Sequence, residues 1–190
     1  MKMWDIGRLS STYRANLIVD NYDGFLKKGM KVVDIGCGTG IVSKHLEEAF
    51  SLQLIGCDLK NNLKINIQFK KMSSHTKLPF MKKAFDIAMF NDILHHCDSL
   101  TKKALLKEGM RIAKKIVIFE YKPTLLARVA DVLVNVIHYP GIYLPLHLYS
   151  IYEWETLFKE IKLHYKIKKV KAGWFYPFSH YVFILKTKMS

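Results

Sequence analysis

One short stretch, residues 32–40 with the sequence VVDIGCGTG, limits the fold of this chain more than any other part. It begins as an apolar strand, turns at closely spaced glycines and leads into a predicted helix over residues 41–50. Glycines allow the backbone to turn tightly and to approach a ligand closely. The helix N-terminus offers free N–H groups, and Asp34 adds a carboxylate at the strand end. The pattern indicates a site for a nucleotide-like cofactor.

Strands and helices alternate along the rest of the chain, whose 190 residues suit a single domain. A strand over residues 52–57 follows the first helix and completes a βαβ unit, which requires parallel strands and a right-handed crossover. The sequence predicts further strands over 84–90, 116–121, 165–170 and 181–186, helices over 10–27 and 101–114, and a capping box (S-x-x-E) at Ser150 and Glu153 that opens another helix.

Composition bounds the environment and the partners. The three cysteines, Cys37, Cys57 and Cys97, show no paired spacing, which favours reduced thiols in a cytoplasmic protein. The first residues contain no apolar stretch typical of a signal peptide. The net charge of +14 fits nucleic acid or an anionic membrane surface as a partner. Because the excess is mostly lysine, a plain solvated surface is the competing interpretation.

Residues 124–148 form an apolar, aromatic segment that is long for a simple connection. Charged residues and prolines interrupt it, so we predict no transmembrane span. A helix over residues 125–137 followed by an irregular stretch rich in proline and glycine fits better. That helix is expected either to pack against a core or partner, or to cover a substrate pocket. Peripheral contact with a membrane is a third interpretation.

The spacing of the glycines narrows the choice of cofactor. A dinucleotide fingerprint, G-x-G-x-x-G, would need glycine at position 41, where the chain has Ile41. A P-loop is excluded because no G-K-[ST] follows. Asp58 ends the second strand, where a carboxylate accepts hydrogen bonds from ribose hydroxyls. Taken alone, Asp58 would instead be interpreted as a helix cap.

Together these blocks resemble the class I S-adenosylmethionine-dependent methyltransferases, of the small-molecule kind related to the ubiquinone and menaquinone methyltransferases. The matching blocks are VVDIGCGTG (32–40), IGCD (55–58), LPF (78–80), FDI (85–87) and ILHH (93–96). Their order and spacing agree across about residues 12–122. The resemblance implies a Rossmann-like three-layer α/β sandwich. Its seven-stranded sheet would be mostly parallel, with an antiparallel last strand, and residues 124–148 would form a lid or substrate-recognition insertion in a single domain.

The resemblance also implies S-adenosylmethionine as methyl donor and S-adenosylhomocysteine as product. Its implied cofactor contacts are Asp34, Gly36, Cys37, Gly38, Thr39, Gly40, Asp58, Leu59, Ser74, His75, Phe90 and Asn91. Among them, Asp34 is expected near the amino group, Asp58 at the ribose and Leu59 against the adenine. Ser74 stands where the family usually has an aspartate that accepts from the adenine amino group, so this chain departs from the pattern there.

Two neighbouring histidines, His95 and His96, follow the predicted fourth strand. They are candidates for a general base or for positioning, and the alternative is that they cap the next helix or pack beneath the cofactor. We predict no metal, because the adjacent residues in the HHCD run cannot converge on one ion.

The candidate contacts to the acceptor are Glu120, Tyr121, His138, Tyr139, Tyr143 and His147. Their aromatic surroundings predict a small, partly apolar acceptor. No N-P-P-Y signature follows the fourth strand, which argues against methylation of DNA bases. An RNA methyltransferase and a cofactor-binding protein without catalytic activity remain the alternative hypotheses.

Overall fold

Seven strands and five helices make up the part of the chain that the computed structural model describes, which is residues 3–138, 145–170, 172–173, 176 and 179–187. The strands are β1 (Lys31–Ile35), β2 (Gln53–Asp58), β3 (Gln68–Lys71), β4 (Phe85–Asn91), β5 (Ala113–Tyr121), β6 (Leu163–Lys169) and β7 (His180–Thr187). The helices are α1 (Met3–Tyr22), α2 (Ile41–Phe50), α3 (Ser99–Ile112), α4 (Leu125–His138) and α5 (Ile151–Glu160), and a 3-10 helix (Leu94–His96) follows β4.

The strands form one sheet in the order β3-β2-β1-β4-β5-β7-β6. The first five strands are parallel, and β7 is antiparallel to both of its neighbours. Apolar side chains of α1 and α2 pack on one face of the sheet, and those of α3 and α5 pack on the other. The predicted three-layer Rossmann-like sandwich, with its seven-stranded, mostly parallel sheet, is therefore confirmed.

The register of the parallel strands brings their carboxyl ends together. Ile35 in β1 lies beside Cys57 in β2 and beside Phe90 in β4. In folds of this type, ligands bind in the crevice outside this edge of the sheet. The edge carries polar side chains from four strands, namely Asp34, Asp58, Asn91 and Glu120.

The helix starts follow the capping rules. The predicted capping box is present, because Glu153 N–H donates to Ser150 Oγ and Ser150 N–H donates to Glu153 Oε2. Asp98 caps α3 by accepting from Thr101 N–H at 2.7 Å. Among the described residues, every helix is too short or too polar to cross a membrane.

The differences from the predicted elements lie mainly at their boundaries. α1 ends at Tyr22 rather than at residue 27, because the chain turns at Gly24, whose φ is +88°. β5 begins at Ala113, which was predicted as helix, because Ala113 pairs with Phe85 at the start of β4. The sequence does not predict β3. This short edge strand is mostly polar and shows no alternation of apolar residues.

Candidate active site

The glycine turn after β1 is fastened to the end of β2. Gly36 and Gly40 adopt φ values of +76° and +78°, a left-handed region that favours glycine. Gly36 N–H donates to the Cys57 carbonyl at 2.7 Å, and Gly38 N–H donates to Asp58 Oδ2 at 2.9 Å. A Cβ at Gly36 would lie 2.3 Å from Cγ1 of Ile93, so the turn also contacts the loop after β4. The sequence motif thus forms the tight turn that it predicts.

Asp34 lies at the centre of a buried hydrogen-bond network beneath this turn. Ser43 Oγ donates to Asp34 Oδ2 at 2.6 Å, and Asn91 Nδ2 donates to Asp34 Oδ1 at 2.9 Å. Asn91 Oδ1 in turn accepts from the Tyr22 hydroxyl at 2.5 Å. Burial raises the pKa of Asp34 to about 6, although the two donors lower it. An ammonium group beside Asp34 would therefore offset the free-energy cost of ionising this buried carboxyl group.

Asp58 is half-buried at the end of β2. Its Oδ1 accepts from Leu59 N–H at 2.7 Å, and its Oδ2 holds the glycine turn. Ser74 and His75 are both exposed, and Ser74 forms an isolated antiparallel β-bridge with Lys77. The structure thus brings Asp58 next to the glycine turn, whereas Ser74 and His75 lie at the surface beyond β3.

The remaining predicted cofactor residues differ in the chemical groups that they offer at the carboxyl edge of the sheet. Cys37 is buried, and burial raises the pKa of its thiol, so it is not a reactive thiolate. The Thr39 carbonyl accepts from Lys64 N–H at 3.0 Å. Phe90 is fully buried, and its ring packs towards Gly109 of α3. Phe90 therefore offers only its backbone at the strand end, whereas the side chain of Asn91 faces Asp34.

A second network surrounds Glu120, which is 2% exposed. Its Oε1 accepts from the N–H groups of Ile93, Leu94 and His95 at 3.0, 2.6 and 3.3 Å. Its Oε2 lies 2.7 Å from Nδ1 of His95. The carboxylate thus binds the N-terminus of the 3-10 helix and orients the first histidine, so in this structure it supports His95 from below rather than facing an open pocket.

His95 is buried and has partners on both ring nitrogens. Its Nε2 lies 3.0 Å from Nε2 of His96 and 3.0 Å from the Tyr121 hydroxyl. Nδ1 of His96 lies 3.0 Å from the Pro145 carbonyl oxygen. Of the predicted catalytic and acceptor residues, the structure therefore brings four together, which are His95, His96, Glu120 and Tyr121.

These partners define where the protons lie. An ionised carboxylate and a carbonyl can only accept, so Nδ1 of His95 and Nδ1 of His96 each carry a hydrogen. The two Nε2 atoms then face each other at 3.0 Å. A hydrogen bond between them requires one further proton, because each would otherwise present only a lone pair. With one hydrogen on each Nδ1, the neutral pair keeps a lone pair on both Nε2 atoms, and the Tyr121 hydroxyl can donate to Nε2 of His95. The pair can then take up one proton between the two Nε2 atoms, and Glu120 would balance its charge.

The segment after α4 covers this histidine pair. His147 N–H donates to the His95 carbonyl at 2.6 Å, and the buried Lys102 donates from Nζ to the His147 carbonyl at 2.6 Å. The His147 side chain itself is exposed. Tyr139, Tyr143 and the side chain of His138 lie outside the described residues, so their predicted contacts with the acceptor stay predictions.

A buried ionic group that is not among the predicted site residues lies at the same edge. Asp92 directly follows β4 with a φ of +52°. Its carboxylate lies 3.2 Å from Nε2 of His180 and 3.6 Å from Arg14. Burial opposes ionisation of Asp92, but the charges of His180 and Arg14 hold its pKa below the usual range. Only the position of Asp92 after a strand could have indicated it, since both partners come from distant elements.

Among the described residues, no three His, Cys, Asp or Glu side chains converge in an arrangement that could hold a metal ion. The carboxylates at the edge are instead acceptors for hydrogen-bond donors, and the histidine pair can bind a proton. The fold and this edge define a Rossmann-like domain with a site for a nucleotide-like cofactor.

Comparison with known proteins specifies the family. The family model described as "Methyltransferase domain" matches residues 33–119, which includes the glycine turn, both histidines and most of β5. Residues 33–119 thus match a methyltransferase domain, and the resemblance to the class I S-adenosylmethionine-dependent methyltransferases seen in the sequence is confirmed.

Individual relatives are more distant. Phosphoethanolamine N-methyltransferase 3 of Arabidopsis thaliana is 29% identical over 110 residues, which cover 50% of this chain and only 22% of that protein. A protein of Pyrococcus horikoshii OT3 has a TM-score of 0.69 at 19% identity, covering 92% of this chain and 90% of its own. An S-adenosylmethionine-dependent methyltransferase of Methanosarcina mazei has a TM-score of 0.65 at 17% identity, covering 91% and 98%.

The pKa of Asp34 predicts a pH-dependent stability. Because the folded-state pKa of about 6 lies above the ordinary 3.8, ionisation of Asp34 opposes folding. The free energy of unfolding should therefore fall by about 3 kcal/mol for this group as the pH rises from about 4 to about 6, and should level off above about pH 6. In Asp34→Asn this part of the pH dependence should disappear, as measured by urea unfolding between about pH 4 and 7.5.

The exposed Asp20→Asn variant is the matched control, since it removes an acid of α1 that lies in solvent. It should retain the wild-type pH dependence. An unchanged dependence in Asp34→Asn would show that the carboxylate does not titrate in this range.

The proton assignment of the histidine pair can be measured directly. Long-range proton–nitrogen NMR spectra should show a hydrogen on Nδ1 of both His95 and His96. The exposed His164 of β6 serves as the reference ring. A hydrogen on Nε2 and none on Nδ1 of either ring would contradict the assignment.

Proposed function

We propose that this protein transfers a methyl group from S-adenosylmethionine to a small, partly apolar acceptor. The observation that carries the proposal is the pair of carboxylates, Asp34 and Asp58, which end neighbouring strands on either side of a left-handed glycine turn. A nucleoside that carries an amino acid offers an ammonium group and ribose hydroxyls. These donors match the two carboxylates in chemistry.

The chain's own residues would hold the cofactor as follows. Asp34, whose burial favours a cationic partner, would accept from the ammonium group. Asp58 would accept from the ribose hydroxyls, and Leu59 would lie against the adenine. When bound, S-adenosylmethionine supplies a methyl group on a sulfonium, which is already a good leaving group. Since Ser74 replaces the usual acid, the adenine amino group would have only a neutral acceptor there.

The protein's contribution to the reaction is to position the acceptor and to receive its proton. An acceptor O–H or N–H group must lose a proton when it is methylated. We assign this proton to the pair of Nε2 atoms of His95 and His96, with Tyr121 as the third member of the same hydrogen-bond network. Glu120 stabilises the positive charge that the pair then carries.

The nature of the acceptor is inferred from the elements around the histidines. The histidines are bordered by α4 and residues 145–148, which are mostly apolar. These elements include the buried Ala127 and Leu148, which pack against Tyr121. Such surroundings favour an acceptor with an apolar part. We also propose that residues 124–148 act as the lid or recognition insertion, because Pro145 and His147 contact the histidine pair.

Binding of the demethylated product tests the cofactor assignment without knowledge of the acceptor. Calorimetric titration with S-adenosylhomocysteine should show binding to the wild-type chain. Asp58→Ala should weaken it by roughly 10- to 100-fold, because charge-assisted hydrogen bonds to the ribose are lost.

The control is Asp86→Ala, which removes a hydrogen-bonded carboxylate at the opposite end of β4. It should bind the product as the wild type does. If the intact chain binds neither S-adenosylmethionine nor its product, the proposed function is wrong.

A further inference from the structure

The described part of α4 presents a continuous apolar face to solvent. Its exposed side chains are Leu125 (79%), Leu126 (60%), Val129 (53%), Val132 (55%) and Leu133 (59%). Their spacing of three and four residues places them along one side of the helix. Single exposed apolar residues are ordinary on protein surfaces, but a contiguous stripe marks an interaction surface.

The opposite side of α4 faces the protein beside the candidate site. Ala127 is fully buried and packs with Tyr121 and Leu148. The helix begins four residues after Tyr121, and Thr124 Oγ1 accepts from Ala127 N–H at 3.0 Å to stabilise its first turn. The exposed stripe therefore lies on an element that borders the histidine pair.

We propose that this apolar face of α4 docks onto the surface of an anionic lipid bilayer. The chain carries a net charge of +14, and the exposed Arg128 lies beside the stripe, so electrostatic attraction favours negatively charged headgroups. The exposed apolar residues are all leucine and valine, which suit acyl chains. A protein partner would instead favour aromatic anchors at the centre of the surface.

The length of α4 excludes a membrane span, and the charge of the chain disfavours self-association through this face. α4 has 14 residues and is about 21 Å long, shorter than the roughly 30 Å hydrocarbon core, so it lies along the interface rather than across it. A second copy of the chain on this face would bring two bodies of charge +14 together, which electrostatic repulsion opposes.

Co-sedimentation of the full chain with vesicles tests this docking. We expect binding to vesicles of phosphatidylcholine mixed with phosphatidylglycerol, and weaker binding to phosphatidylcholine alone. The double variant Val129→Glu, Leu133→Glu should lower the partition coefficient by about tenfold or more, because two carboxylates replace apolar side chains that would be buried in the bilayer. Since both positions are exposed, the variant should unfold at the same urea concentration as the wild type.

The control is Leu100→Glu, which places a carboxylate at another exposed leucine (79%), at the start of α3. It should bind vesicles as the wild type does. The proposal is overturned if the wild type does not bind anionic vesicles or if the double variant binds them equally well. It is also overturned if the wild type dimerises in solution through this face. None of these readouts uses methyl transfer or cofactor binding, so failure here is distinct from failure of the proposed function.

Discussion

The buried carboxylate of Glu120 holds the candidate site together. One of its oxygens accepts from three consecutive N–H groups at the start of the 3-10 helix, and the other faces Nδ1 of His95. It thereby joins the end of β5 to the loop after β4. The two strands β4 and β5 are already paired along their length. A shorter side chain, or one without an oxygen acceptor, would leave the three N–H groups unpaired in the interior, and His95 would lose the group that orients its ring.

The sheet edge then divides into regions with different chemistry. Asp34 and Asp58, on β1 and β2, supply acceptors on either side of the glycine turn. The histidine pair, which follows β4 and lies beside the end of β5, can accept a proton. β4 connects the two regions, because Asn91 at its end donates to Asp34 and the 3-10 helix with both histidines follows it.

Sequence reasoning predicts the fold well because glycine spacing and strand alternation depend on local chemistry. The helix over 41–50, the strand at Lys31–Ile35 and the capping box at Ser150 appear as predicted. The network of Glu120 could not be predicted, because it depends on the register of β4 against β5. The exposure of the apolar face of α4 could not be predicted either, since the same helical pattern is typical of helices packed in a core.

We propose that this chain methylates a small, partly apolar acceptor at the edge of the sheet that Glu120 holds together. The most direct measurement supplies S-adenosylmethionine with a labelled methyl group, together with either a membrane-lipid extract or total RNA, to the full chain. The account predicts label in the organic phase of the lipid reaction, and loss of that label in His95→Gln. Label that enters RNA alone, or that is transferred to neither extract by a chain that binds the cofactor, would contradict it.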